Sequence, residues 1–510
     1  MSGDWQRLHP RTVVVTALTV AGLGVSIATP IVVNLLRDDH RPARVLLIAV
    51  GGVVLLTALG TAGDLMRWRH TTYRVTGERV ELRHSWVLHR LRSIPRDRVR
   101  AVDLAANPLL RVFGLTKVKI GTGQQVVGQG SQLTLDPLGR GEAEELRRVL
   151  LDRAPAGTGE PVPPGAGTAQ APAIAVLDRS WIRYAPVSVS TPILGAAAFG
   201  AVMQLSDWFG VQNALVQWVG DLFAGLSVPM LVLVLVAVGV VIGVLGSLGL
   251  FVEMWWNYRL TREEGTLVVR RGLLTTRTLS LEQRRLRGAE LFEPLGSRLF
   301  GAARVDVVAT GLRARSEKDS TDPKTLLPVA PLRFARRVAA EVVGSDPWAD
   351  ADLRPHPPAA RRRRVGWALY SVFGLAAVLV VLGLLLTTVL VHLAWIAVLV
   401  LTPIAVALAL DDYRNLGHGL TADYLVTRYG AGSRRTVALL RGGIIGWTVR
   451  SSPFQRRAGL VTIAATTAAN SGEYLVRDVG ETDGLRLAEV AVPGLLTPFL
   501  EVAPGQLSTV

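Results

Sequence analysis

The longest uncharged stretch of the chain constrains its fold more than any other feature. Residues 365–410 are 46 residues without lysine, arginine, aspartate or glutamate. A helix needs about 20 residues to cross the hydrocarbon core of a bilayer, so this stretch predicts two transmembrane helices with a break near residues 387–392. We therefore expect a membrane protein, in agreement with the mean hydropathy of +0.34.

Four shorter uncharged stretches complete the predicted membrane region. Residues 12–36 and 45–63 are 25 and 19 residues long, and residues 184–206 and 222–252 are 23 and 31 residues long. The first is longer than the apolar region of a signal peptide, which has about 7–15 residues, so we expect it to remain as a mature helix. Together with the split stretch, these segments predict six spans in three hairpins.

The arginines indicate the orientation of the spans, because short loops rich in basic residues stay cytoplasmic. Four consecutive arginines at 361–364 precede the fifth span, whereas residues 206–221 carry no basic side chain. The first hairpin turn, with Arg37, Arg41 and Arg44, is an exception. The pattern predicts a membrane protein whose termini and large soluble segments are all cytoplasmic.

A repeated unit follows each hairpin. The three copies open on aligned tetrapeptides that end in threonine and begin at Tyr73, Tyr258 and His418. A second motif runs from proline to glycine, with an arginine three residues before the glycine, at Arg111, Arg298 and Arg456. The opening residue and this glycine are 41, 43 and 41 residues apart, which predicts three copies of one domain.

Each copy has the pattern of a small α+β domain. Short β-branched runs predict antiparallel strands at 80–83, 117–120, 267–270, 305–308 and 460–463. Residues 139–151 and 331–343 have apolar side chains at helical spacing and predict a C-terminal helix in the first two copies. The corresponding residues 485–492 of the third copy are less regular.

These hairpins, opening tetrapeptides and proline-to-glycine motifs together resemble the YdbT-like family of bacterial membrane proteins with PH-like domains. The resemblance covers nearly all of the chain apart from the linkers. It implies a PH-type fold for each soluble unit, with two packed antiparallel sheets capped by one helix. It implies no catalytic residue set, and whether the third copy keeps a complete fold stays open, because His418 replaces tyrosine there.

The predicted fold class is an α+β multi-domain membrane protein with six transmembrane helices and three PH-like β-sandwich or barrel domains, each with a C-terminal helix. The predicted transmembrane hairpins are residues 12–65, 184–252 and 365–410. The predicted PH-like domains are residues 66–153, 255–344 and 414–510. Proline-rich linkers, expected to be solvated and mobile, are residues 154–180 and 345–360.

The sequence offers little for catalysis or for binding a cofactor. The chain has no cysteine, and its eight histidines are scattered. Glycines within residues 121–130 resemble a phosphate-binding loop, but the Walker spacing is absent and a hairpin turn is favoured. We therefore predict no enzyme activity, no metal and no cofactor.

Acidic and aromatic residues mark the ends of the even-numbered spans. Asp64, Glu253 and Asp411 have equivalent repeat positions, which favours capping or anchoring of helix ends. With Asp412 they are the candidates for an enzyme acting on lipid, which is a less favoured class. The aromatic residues that follow are predicted to anchor the helices at the membrane interface and are Trp68, Trp255, Trp256 and Tyr413.

Basic side chains supply the main functional prediction. Residues 67–100 contain ten arginines against three acidic residues, residues 258–304 ten against five, and residues 414–457 eight against one. Each basic residue near an anionic bilayer contributes about 1 kcal/mol, so we expect these segments to contact anionic phospholipid of the inner leaflet. Positive-inside topology, or solvation of a β surface, also explains such an excess.

Arg111, Arg298 and Arg456 are the candidate lipid- or partner-binding residues, although bracing of the proline-to-glycine turn is the favoured role for each. The predicted function is a non-enzymatic scaffold or interaction protein whose three weak surfaces act together. The alternative function is an accessory subunit of a transport or envelope-maintenance complex with a membrane-protein partner. Nucleic acid is not expected, because a reading helix and an aromatic stacking array are missing. The sequence leaves the oligomeric state open.

Overall fold

The structure, a computed structural model, describes residues 5–38, 42–85, 89–96, 99, 101–121, 132–151, 172–188, 190–263, 265–310, 324–469 and 472–499. It divides into two compact units, Met1–Arg284 and Arg285–Val510, and the division falls inside the second repeat. The predicted glycine loop from residue 122 onward and residues 154–171 of the first linker lie outside the described residues.

Helices and short strands recur in three similar runs along the chain. The α-helices of the described residues are α1 Thr12–Asp38, α2 Pro42–His70, α3 Pro108–Val112, α4 Arg140–Leu151, α5 Ser190–Trp208, α6 Gln212–Leu222, α7 Val228–Trp255, α8 Leu295–Leu299, α9 Leu332–Val343, α10 Pro347–Asp350, α11 Pro358–Leu385, α12 Thr388–Arg414, α13 Pro453–Arg457 and α14 Glu481–Ala491. The strands are β1 Gln6–Arg7, β2 Thr71–Val75, β3 Arg79–Ser85, β4 His89–Pro95, β5 Ala101–Ala106, β6 Leu115–Gly121, β7 Gln132–Gly139, β8 Ala173–Val176, β9 Arg259–Glu263, β10 Thr266–Arg271, β11 Thr276–Glu282, β12 Leu286–Glu293, β13 Ala302–Ala309, β14 Thr325–Pro331, β15 Gly417–Leu420, β16 Tyr424–Tyr429, β17 Arg434–Leu440, β18 Ile444–Arg450, β19 Leu460–Thr467 and β20 Glu473–Gly480. All five predicted strands and both predicted C-terminal helices are confirmed.

Five helices in the described part of the chain, α1, α2, α7, α11 and α12, are long and apolar enough to cross a membrane. Many of their side chains are apolar and exposed, such as Val241 on α7, as expected of helices that face lipid. The predicted break in the longest stretch is confirmed, because α11 ends at Leu385 and α12 begins at Thr388. The Thr387 side chain caps α12 by accepting a hydrogen bond from the Val389 amide.

The third predicted span, residues 184–206, differs in the structure. The chain first forms a 3-10 helix at Arg179–Tyr184, and α5 is not among the five candidate spans of the described residues. Pro192, Gln204 and Asp207 interrupt the apolar sequence of α5, which explains the difference. The prediction of six spans in three hairpins is therefore not confirmed.

Glycines allow α5 and α7 to pack closely. A Cβ atom added to Gly195 would lie 2.4 Å from the Gly239 carbonyl oxygen. A Cβ atom added to Gly243 would lie 2.3 Å from the Thr191 carbonyl oxygen. Contacts through small residues are typical of helix pairs in membranes, where apolar side chains gain little by leaving lipid. The two helices therefore form a pair although α5 is the less apolar partner.

The first unit contains two antiparallel sheets. One has the strand order β1-β2-β3-β4, and the other has the order β7-β6-β5-β11-β10-β9-β8. The larger sheet joins two repeats, because β5 of the first repeat pairs with β11 of the second, with Ala106 opposite Thr276. The core of the first repeat brings together both of its sheets and α4, through side chains such as Val80, Ile120 and Leu146.

The second unit has the same plan. One sheet has the order β14-β13-β12-β17-β16-β15, and the other has the order β18-β19-β20. β12 of the second repeat pairs with β17 of the third, with Gly288 opposite Leu439. The core of the third repeat joins both of its sheets to α14 through side chains such as Val437, Ile463 and Ala488. The third repeat therefore has all six strands and the C-terminal helix that its sequence left open.

The proline-to-glycine motifs have one local structure in all three repeats. Each forms a short helix, which is α3, α8 or α13. The glycine that follows is left-handed, with φ of 67° at Gly114 and 62° at Gly301 and Gly459. Because a side chain is strained in this conformation, glycine ends the helix in each copy.

The second predicted linker is ordered on the third repeat, which differs from the prediction of a mobile segment. His356 is buried, and the Arg354 amide donates a hydrogen bond to the His418 carbonyl oxygen at 2.8 Å. Trp348 Nε1 donates to the Thr436 carbonyl oxygen at 3.4 Å. In the first linker, β8 pairs with β9. Proline content did not predict these contacts, because they depend on partners distant in sequence.

Candidate functional site

A groove of about 1010 Å³ lies in the second unit, between the α11 and α12 pair and the third repeat. We call it the interfacial groove. Its apolar wall contains Trp367, Val372, Leu375, Leu401, Ile404 and Leu408. Its charged wall contains Arg363, Arg364, Asp412, Arg450, Arg477 and Asp478. The groove therefore joins the surface of membrane helices to a charged surface near the end of those helices.

The apolar wall follows from the helical repeat. Trp367 and Leu375 on α11 are eight residues apart, and Leu401 and Leu408 on α12 are seven apart. Residues at these separations lie on one face of a helix. The charged residues of α11 precede the apolar ones in the sequence, so the wall changes from charged to apolar along the helix axis.

Asp478 is the buried centre of the charged wall. Its carboxylate accepts hydrogen bonds from Arg363 at 2.7 Å and Arg364 at 2.8 Å, and Gln455 Nε2 donates to it at 2.7 Å. Arg364 also forms an ion pair with Asp412. The backbone of Asp478 has φ of 55°, a conformation that aspartate tolerates better than most residues. These contacts attach the start of α11 to the third repeat and position the charged wall.

Within the described residues, Arg477 is the groove cation that has no acidic partner. Its guanidinium carbon lies 4.6 Å from the centre of the Tyr429 ring, and among the described residues it forms no ion pair. Arg450, by contrast, pairs with Glu473 at 2.7 Å. A half-buried arginine without a carboxylate partner favours an anionic ligand, because guanidinium groups bind carboxylate and phosphate oxygens strongly. A ligand that fills the groove therefore needs an anionic part and an apolar part.

Two arginines of the proline-to-glycine motifs contact the following repeat and do not line the groove. Arg111 Nη1 donates to the Leu273 carbonyl oxygen at 2.6 Å, in the turn between β10 and β11. Arg298 donates two hydrogen bonds of 2.8 Å to Asp411. It donates a third, of 3.2 Å, to the Gly432 carbonyl oxygen in the turn between β16 and β17. Their geometry is that of connectors between repeats.

The third of these arginines, Arg456, is exposed, and its side chain has no hydrogen bond or ion pair within the described residues. Arg111 also lines a smaller cavity of about 270 Å³ in the first unit, together with Arg140, Arg270 and Arg277. Lipid or partner binding by the three motif arginines stays a prediction.

The acidic residues at the ends of the even-numbered spans hold turns and helix ends. Their hydrogen-bond or ion-pair partners are the amides of Leu274 and Thr275 for Glu253, the amide of Gly432 for Asp411, and the Thr16 hydroxyl and Arg67 for Asp64. This geometry supports the anchoring interpretation. The described residues contain no group of three or more histidine, aspartate or glutamate side chains suited to a metal ion.

The four predicted interface aromatics have different surroundings. Trp255 is buried, with the Arg271 guanidinium 4.3 Å from its ring centre, whereas Trp256 is exposed. The other two donate hydrogen bonds to main-chain oxygens, Trp68 to Leu8 at 2.7 Å and Tyr413 to His356 at 3.0 Å. Anchoring at a membrane interface stays a prediction for these residues.

A buried histidine pair lies where the third repeat departs from the tyrosine of the other two. His418 Nδ1 and His356 Nε2 are 3.0 Å apart. Burial, followed by the nearby His356 and Arg354, lowers the pKa of His418 from 6.5 to about 4. Burial also lowers the pKa of His356. Both rings are therefore neutral near pH 7, and they connect the second linker to β15.

The sequence alone does not reveal the interfacial groove. The arginines at 361–364 predicted only topology, and Asp478 and Arg477 have the pattern of ordinary strand residues. One sequence feature does point to the charged wall. The last strand of the first repeat carries Asp136 at a position similar to that of Asp478 in the third repeat. Asp136 also has a basic partner, Lys117, at 2.7 Å.

Comparison with known proteins agrees with this architecture. The model of the Bacterial PH domain family matches residues 19–154, 214–342 and 370–491, so each match contains one repeat. The chain belongs to the Bacterial PH domain family. This Bacterial PH domain protein is similar to the UPF0699 transmembrane protein YdbT of Bacillus subtilis (strain 168), with 21% identity over 504 residues, covering 95% of the chain and 97% of the relative. No solved structure matches the chain. The family resemblance inferred from the repeats is confirmed.

Proposed function

We propose that this transmembrane protein binds an anionic phospholipid in the interfacial groove and acts as a non-enzymatic scaffold at the membrane surface. The proposal rests on one observation. A single groove of about 1010 Å³ is lined both by apolar side chains of α11 and α12 and by Arg477, which has no ion pair among the described residues. Acyl chains contact the apolar wall, and the phosphate binds the arginine. A phospholipid matches this arrangement, because its anionic phosphate is next to its apolar acyl chains.

The charge balance of the groove favours an anionic headgroup. Four lining arginines face two lining aspartates, and Asp478 is already bound by Arg363 and Arg364. Arg477 therefore remains to bind a phosphate oxygen. A hydrogen bond to a charged group contributes about 1.5–3 kcal/mol, which is about a tenfold to hundredfold change in affinity.

The proposal includes six spans with the termini and all repeats on the cytoplasmic side of a bacterial inner membrane. The sheet shared by β5 and β11 supports it, because one sheet cannot lie on both sides of a bilayer. The chain between these strands then crosses an even number of times, and α7 supplies one crossing, so α5 supplies the other. Arginines at 361–364 favour the cytoplasmic side.

Lipid binding by the full-length protein in nanodiscs tests the groove, with phosphatidylglycerol compared against phosphatidylcholine. Arg477→Gln is expected to weaken phosphatidylglycerol binding at least tenfold by removing the phosphate ligand. Arg486→Gln removes the same charge from the exposed face of α14, outside the groove, and is expected to leave binding unchanged.

A second variant pair tests the apolar wall. Ala405 lines the groove, so Ala405→Trp fills it, whereas Ala407→Trp adds the same bulk to an exposed position of α12. We expect only Ala405→Trp to reduce lipid binding. Wild-type affinity for phosphatidylglycerol in both Arg477→Gln and Ala405→Trp would refute the proposal. A stoichiometric protein partner in native membranes, together with that result, would favour an accessory subunit of a transport or envelope-maintenance complex.

A reporter fused at Gly210 tests the topology. Gly210 lies between α5 and α6, and six spans predict that it is extracytoplasmic. A cytoplasmic signal at this position would refute the crossing by α5.

A further inference from the structure

The repeats are joined in the same way twice. In the first unit, β5 pairs with β11, and in the second unit, β12 pairs with β17. Each joint connects the first strand of the second sheet of one repeat to the last strand of the first sheet of the next repeat. Both joints are antiparallel, and each aligns six residue pairs.

The strands at these two positions in the outer repeats, β18 and β4, do not take part in either of these pairings. β18 begins the second sheet of the third repeat, and β4 ends the first sheet of the first repeat. Within the described residues, β18 pairs with β19 and β4 pairs with β3, and neither strand has a partner on its other side. Each strand therefore presents a free edge that its equivalents use to bind another repeat.

The residues of these free edges are more exposed than those of a strand that joins two repeats. Four consecutive residues of β12 are buried, whereas in β18 Ile444 alone is buried. Ile445 is 63% exposed and Val449 is 44% exposed on β18, and Leu91 is 61% exposed on β4. Exposed edges with apolar side chains pair readily with other strands, so proteins usually protect them.

The arginines of the proline-to-glycine motifs show the same pattern, with two that contact a following repeat and one that does not. Arg111 and Arg298 reach the first sheet of the following repeat, as described above. Arg456 has the equivalent position in the third of the three repeats. Its side chain is exposed and without a partner in the described structure.

We propose that the chain associates head to tail with a second copy of itself, with β18 of one copy pairing antiparallel with β4 of the next. The partner is a second copy because its β4 has the repeat position of β11 and β17, the two strands that accept the equivalents of β18. The joined sheet contains the three strands of one copy and the four of the other, the same number as the seven-stranded sheet of the first unit. Such a contact is heterologous, so it forms a ring or an extended array.

The internal joints predict the register. Leu104 and Glu290, each four residues before the motif proline, lie opposite Thr278 and Val437. Val449 has the same position before Pro453. Thr278 and Val437 follow the openings of their repeats by 20 and 19 residues, and the same distances from Tyr73 end at residues 93 and 92. Val449 is therefore expected to lie opposite Ser93 or Arg92.

Cysteine cross-linking of the full-length protein in native membranes tests the joint, since the chain has no cysteine of its own. Two differently tagged chains are expressed together, one with Val449→Cys and the other with Ser93→Cys or Arg92→Cys, and treated with a short bis-maleimide. We expect a cross-linked species that carries both tags. Replacing the second cysteine by Glu144→Cys, on the exposed face of α4, is expected to abolish it.

A single chain with Ala105→Cys and Arg277→Cys is the positive control, because these residues face each other across β5 and β11. Cross-linking confined to single chains that carry both Val449→Cys and Ser93→Cys would overturn the proposal in favour of a chain that closes on itself. Absence of any Val449 product, with an efficient positive control, would also overturn it.

Discussion

Mild acid is expected to loosen the third repeat through its buried histidine pair. The folded structure holds the pKa of His418 at about 4, against an ordinary value of 6.5, because the ring is buried beside His356 and Arg354. Between these pH values the unfolded chain binds more protons than the folded chain, so the free energy of unfolding falls as the pH falls. Linkage gives a loss of about 2 kcal/mol at pH 5 and about 3 kcal/mol at pH 4, relative to pH 7.

Replacing His418 with glutamine is expected to remove most of this loss, because glutamine keeps a polar group of similar size and does not titrate. The assay is thermal unfolding of the full-length protein in detergent between pH 7 and pH 5. Hydrogen exchange, corrected for its intrinsic pH dependence, follows the second linker and β15. His9→Gln in the first unit is the matched control. Equal losses in wild type and His418→Gln, or a His418 titration near 6.5 by NMR, would refute the reasoning.

Two further predictions concern the repeat joint and the charged wall of the groove. Gly288 has φ of 149°, and a Cβ atom there would lie 1.9 Å from the Ala438 carbonyl oxygen. Gly288→Ala is therefore expected to lower the free energy of unfolding by about 1–3 kcal/mol from backbone strain alone. It is also expected to remove the hydrogen-exchange protection of β17. Gly442→Ala, which meets no atom within 4 Å, is the control, and unchanged β17 protection in Gly288→Ala would contradict the close approach. Asp478 is buried, and Asp478→Asn leaves two half-buried arginines without their carboxylate, so it is expected to cost about 3–5 kcal/mol in thermal unfolding. Stability equal to that of the exposed variant Asp423→Asn would show that the buried ion pairs contribute little.

The elements that the sequence predicted correctly are those set by local composition and spacing. The uncharged residues 365–410 became α11 and α12, with the break close to the predicted point. The helix spacing of residues 139–151 and 331–343 predicted α4 and α9. The segment that became α5 is different, because it lacks charge over residues 184–206 while its proline and polar residues lower its apolar character.

The candidate site could not be predicted in the same way, because it depends on partners distant in sequence. Arg363 and Asp478 are 115 residues apart, and no local pattern indicates that their side chains meet. Arg298 and Asp411 are likewise 113 residues apart. The repeats indicated that each of these residues has an equivalent in the other copies, but they did not indicate that the two side chains meet.

By itself the sequence determined the number of repeats, the lengths of the apolar helices and the local structure of the proline-to-glycine motifs. Those features depend on residues a few positions apart, through helix length, side-chain periodicity and the left-handed glycine. Tertiary structure decided which strands join one repeat to the next and, among the described residues, which arginines have no carboxylate partner and which strand edges are unpaired. Pairing and burial are properties of residues brought together from different parts of the chain, so only the folded arrangement determines them.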